Sequence, residues 1–86
     1  MKELRDRRDK IDKIDQIIIK NIAQRISIAK KIGLLKNKLN KKIFDPKREQ
    51  ALMKMYNTLS EKHKLDPGFI QQLFKHIIAY SRSAQK

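Results

Sequence analysis

From Leu4 to Leu39 the chain contains no proline and repeats apolar residues at helical intervals. One heptad-spaced line reads Leu4, Ile11, Ile18, Arg25, Ile32, Leu39, and the line beside it reads Arg8, Ile14 or Asp15, Ile22, Ala29, Lys36. Residues so spaced form a single stripe along a helix. The pattern predicts one helix over residues 2–39, ~57 Å long at ~1.5 Å per residue. The run Ile17, Ile18, Ile19 would also suit a strand, but helical period holds on both sides of it. Such a rod cannot bury its stripe against itself. Three cations, Arg8, Arg25 and Lys36, lie on or beside the stripe where isoleucine would be the plain choice.

The 86 residues bound the chain to one small domain spanning residues 1–86. Without cysteine it has neither a disulfide framework nor a thiolate metal site, and His63 and His76 lack the spacing of a metal pair. No apolar run is long enough to cross a bilayer and the first residues are charged throughout, so a cytoplasmic protein is expected. The formal charge is +13. Residues 1–43 hold fourteen Lys and Arg against five acids, and the remainder eight against four, so the excess sits on the first helix and the connection after it. That balance favours anionic partners: nucleic acid, phosphate or a small carboxylate.

Asn37 to Phe44 reads as a lysine-rich connection. Asp45-Pro46 and Asp66-Pro67 are helix-start signals, Asp as N-cap and Pro in the first helical position. The second helix runs from there to about His63 with a stripe of Leu52, Met55, Tyr56 and Leu59, reaching Arg48 one turn earlier, with Glu49 beside it. The third has a stripe of Ile70, Phe74, Ile77 and Ile78, continued by Ser81 and Gln85. The class is all-α: three helices, one long and two short. The two short helices together only match the long one, so one chain has a thin core and dimerisation is the natural remedy. Gly33, the one weak helix former in the long segment, marks close approach of a neighbour.

All three stripes are therefore interrupted by polar residues. Each has a plain explanation: an arginine stem snorkelling at the rim of a core, Ser81 as an inert helix residue, Asp45 as a cap, Glu49 favouring a helix N-terminus, Asp15 paired with a basic neighbour. Their coincidence is harder to dismiss, because burying unpaired cations is costly and a dianion would neutralise them. Arg25 and Lys36 stand three turns apart, ~16 Å along the axis, and could grip one small ligand between them. Arg8 stands ~25 Å before Arg25, too far within one straight helix, so it would serve the site of another subunit.

The ordered set Arg8, Ile11, Ile14 and Asp15, then Arg25, Gly33 and Lys36, then Asp45, Arg48 and Glu49, then Leu65-Asp66, Leu73-Phe74, Ile77-Ile78, Ser81 and Gln85, resembles the all-helical (AroQ-type) chorismate mutases over nearly the whole chain. The resemblance implies an intertwined homodimer of three-helix chains with two equivalent sites. It implies the rearrangement of chorismate to prephenate, towards phenylalanine and tyrosine, with no nucleophile, metal or cofactor. It assigns Arg25, with Arg8 from the partner chain, to the substrate carboxylates, assisted by Arg48 and Ser81. Lys36 and Gln85 are assigned to the ether oxygen whose bond breaks, and Glu49 with the backbone at Asp45 to the ring hydroxyl. Lys36, Gln85 and Arg25 are thus the expected catalytic residues.

Isochorismate–pyruvate lyase, of the same fold class, would use much the same cations; Glu49 favours the mutase. A small basic nucleic-acid-binding protein fits the charge, but the sequence has no recognisable helix-turn-helix or basic-region signature and few aromatics for stacking. A helical dimer without a ligand would be expected to carry isoleucine in place of Arg25.

Overall fold

The computed structural model describes all 86 residues, and they form three helices joined by short connections: α1 (Lys2–Lys38), α2 (Pro46–Lys62) and α3 (Pro67–Gln85). Each boundary has a local cause. The Asp45 carboxylate accepts the Arg48 backbone N–H at 3.1 Å, and Asp66 accepts that of Phe69 at 3.3 Å, with Pro46 and Pro67 in the first turns. These are the two expected starts, each satisfying a donor that the helix itself cannot. The two internal stops share another device. Asn40 and Lys64 adopt left-handed backbone, φ 55° and 57°. The following N–H groups, of Lys41 and Leu65, donate back to the carbonyls of Lys36 and Ser60 at 2.8 Å each. This closes both helices in Schellman fashion without glycine.

α3 joins the other two helices: it packs against both α1 and α2, which do not pack against each other. Leu52, Tyr56 and Ile78 form the buried cluster between α2 and α3, flanked by Met53, Ile70 and Phe74. The rings of Tyr56 and Phe74 stack at 4.1 Å between centroids. Gln71 donates to Asn57 at 2.7 Å alongside, and the buried Ser60 hydroxyl donates to the Tyr56 carbonyl. Against α1, the expected close approach at Gly33 is present. A β-carbon there would sit 2.5 Å from the Gln85 carbonyl oxygen and 2.7 Å from its α-carbon. Glycine is required because α3 passes where a side chain would stand.

Only seven residues are buried, an unusually thin core. Every residue from Met1 to Gln24 is exposed. The stripe read from the sequence therefore lies bare within one chain: Leu4, Ile11, Ile14 and Ile18 are each 44–56% exposed. The molecule measures 58 × 25 × 15 Å, the long axis being that of α1. No helix is long and apolar enough to cross a membrane.

Candidate functional site

Where α1, α2 and α3 come together at the C-terminal end of α1, they enclose a cavity of about 440 Å³. Its apolar wall is Ile28, Ala29, Ile32, Ile43, Leu52 and Ile78. Its polar lining is Arg25 and Lys36 from α1, Asp45, Arg48 and Glu49 from the start of α2, and Ser81, Arg82 and Gln85 from the end of α3. Of the eight residues expected to bind a ligand, only Arg8 is absent from this lining. It is exposed on the bare half of α1.

Helical spacing accounts for the convergence. Arg25, Ala29, Ile32 and Lys36 recur on α1 at three and four residues and line the cavity, as do Ile78, Ser81 and Gln85 on α3. The Pro46 start then directs the first turn of α2 across the opening, so its cap and its first charged residues form the third wall.

The polar groups are tied to one another. The Arg25 guanidinium donates to the Ser81 hydroxyl, which donates onward to the Ile77 carbonyl at 2.8 Å. The Lys36 ammonium donates to the Ile43 carbonyl at 2.8 Å and to Gln85 Oε1 at 3.3 Å. With its oxygen facing Lys36, the Gln85 amide keeps its NH₂ free to donate elsewhere. Arg82 donates to Glu49 Oε2 at 2.5 Å, and its guanidinium carbon lies 4.5 Å from the centroid of Phe44.

The electrostatic balance is uneven. The chain has only two ion pairs, Arg82–Glu49 and the exposed Arg7–Glu3. Arg25, Lys36 and Arg48 have no carboxylate partner. Four cations and two acids line the cavity, a surplus of two positive charges. That surplus, within half-apolar walls, suits a compact dianion with an apolar body.

Nothing in the residue order marks Arg82, the Ile43 carbonyl, or the apolar wall of Ile28 and Ile43 as parts of a site. Arg82 adjoins Ser81, a residue that was singled out, but lies ~100° round the helix from it. Only the position of Glu49 opposite gives it meaning. A second groove of about 410 Å³ adjoins the first along α2 and α3. Leu52, Met55, Tyr56, Leu59, Ile70 and Phe74 supply most of its surface, and Arg25 and Arg48 line both hollows.

Residues 7–86 match the family model described as Chorismate mutase type II. A protein of Methanocaldococcus jannaschii named Chorismate mutase is 35% identical over 69 residues, covering 80% of this chain and 70% of that protein. A match spanning all three helices and every lining residue of the cavity leaves one assignment: the chain belongs to the chorismate mutase type II family.

Proposed function

We propose that the three-helix cavity is the site at which this chain rearranges chorismate to prephenate. The observation that carries the reading is the surplus of two positive charges in a half-apolar cavity, on side chains already held by hydrogen bonds. Arg25, backed by Ser81, and Arg8 of a second copy of the chain take the two carboxylates, and Arg48 assists them. Guanidinium groups bind carboxylates in a fixed, bidentate geometry and so hold the flexible side chain over the ring in a reactive pose.

The reaction is a concerted shift in which the ether C–O bond breaks as a new C–C bond forms to the ring. Negative charge gathers on the ether oxygen in the transition state. Lys36 retains a third N–H beyond the two bound to Ile43 and Gln85, and the Gln85 NH₂ is free; both donate to that oxygen. Because the donors are set before the substrate arrives, they bind the transition state more strongly than the ground state. Glu49 and the Asp45 backbone receive the ring hydroxyl.

The site is completed by a second copy of the chain. The apolar groove beside the cavity is open, and the bare stripe of α1 is the complementary surface on a partner. A partner's α1 laid antiparallel along it carries Arg8 to the mouth of the cavity, adding a third carboxylate-binding guanidinium. The enzyme is a homodimer, works in the cytoplasm, and serves phenylalanine and tyrosine synthesis.

Loss of the chorismate ultraviolet band with purified protein tests the activity, with isochorismate assayed in parallel for lyase chemistry. Refolding Arg8→Ala together with Arg25→Ala tests the shared site. Each variant alone is expected to be nearly inactive, and the mixture to regain roughly a quarter of wild-type activity, since half the dimers are mixed and one site in each is intact. No recovery would exclude a site built from two chains.

A further inference from the structure

We infer that Arg82 is a positioning residue of this site: it aims the Glu49 carboxylate and cancels its charge, so that an acid can face a doubly negative substrate. The inference rests on the mutase reading above and deepens it. An ionised glutamate in a pocket for a dianion is an electrostatic liability, since it repels the ligand that the neighbouring cations attract. Arg82 removes that liability. Its Nη2 lies 2.5 Å from Glu49 Oε2, and the two side chains are only 35% and 26% exposed. Glu49 is the only acid of the site paired with a cation; Asp45 spends its side chain on the α2 cap.

The pair is also fixed from behind. The Arg82 guanidinium lies over the ring of Phe44, the residue just before the Asp45 cap, so one side chain spans from the last turns of α3 to the start of α2. Ser81 and Arg82, consecutive on α3, thus address opposite walls: Ser81 meets Arg25 on α1 and Arg82 meets Glu49 on α2. With one carboxylate oxygen taken by Arg82, the other is left to accept the substrate's ring hydroxyl. Losing Arg82 would leave the Glu49 charge uncancelled beside the dianion and free the carboxylate to swing.

Steady-state kinetics on Arg82→Met, Arg82→Lys and Glu49→Gln, and on Arg82→Met combined with Glu49→Gln, decide the matter. Methionine keeps an apolar stem against Phe44 while losing the charge, and circular dichroism verifies the fold of each variant. Arg82→Met is expected to raise KM about tenfold with a smaller fall in kcat, as befits a charge-assisted, half-buried pair. Arg82→Lys is expected to hold KM within about threefold. In the Glu49→Gln background, Arg82→Met should change KM by less than about twofold, because no acid remains to be held. An equal rise in both backgrounds would show Arg82 acting on the substrate or the loop directly and would overturn the inference, as would an unchanged KM in Arg82→Met alone. A wild-type protein without mutase activity overturns the reading beneath it. An active wild type indifferent to Arg82 overturns this step only.

Discussion

Lys36 has two acceptors, a loop carbonyl and the Gln85 amide, but no carboxylate. A cation held by neutral dipoles keeps its charge available to a ligand, whereas one paired with an acid spends it. Removing it by Lys36→Ala is therefore expected to lower kcat at least ~100-fold while the protein stays folded, checked by initial rates at saturating chorismate and by circular dichroism. Near-normal turnover would remove Lys36 from the mechanism. Gly33 supports the same chemistry without touching it. An alanine there would press its β-carbon into the backbone of Gln85, 2.5 Å from the carbonyl oxygen. Because Gln85 lies in the last turn of α3, that turn can shift away. Gly33→Ala should cost about 1–3 kcal/mol of stability and lower kcat at least ~10-fold by moving the amide from its place beside Lys36. Thermal melts and kcat measured on one preparation check the split.

The helices themselves show which parts of this molecule could be read from residue order. Asp45-Pro46 and Asp66-Pro67 declare their helix starts through local chemistry, and both caps form. Arg25, Lys36, Ser81 and Gln85 were visible because each interrupts a stripe whose period alone gives its direction. Arg82 was not, since its meaning depends on the path of the loop that brings Phe44 and Glu49 opposite it. The Ile43 carbonyl was hidden for the same reason: a backbone acceptor has no signature in side-chain identity. The helix ends were less legible than the starts, because left-handed closure falls on Asn40 and Lys64 with no glycine to announce it. Asn tolerates that conformation, and Lys does so less readily. Lys64→Gly is expected to stabilise the fold by about 0.5–1 kcal/mol, seen as a higher midpoint in urea with an unchanged slope.

At the scale of the whole molecule, one chain leaves the first 24 residues of a 58 Å rod without a single buried side chain. A half-helix whose apolar stripe is uncovered has little to hold it alone, since helical stability in proteins comes mostly from packing. The dimer proposed above makes a measurable demand: the melting temperature should climb with protein concentration, by roughly 3 °C for each tenfold increase. A melting point independent of concentration over three decades would point to a chain that folds alone. The arrangement of the helices carries a separate consequence. The walls supplied by α1 and α2 do not pack on each other, and within the chain α3 sets the gap between them together with the loop whose Ile43 carbonyl accepts from Lys36. The breadth of the substrate slot is thus governed by a spacer. Changing the bulk of Ile78 at that wedge would widen or narrow the slot for differently sized dianions, with every charged group left in its original sequence position.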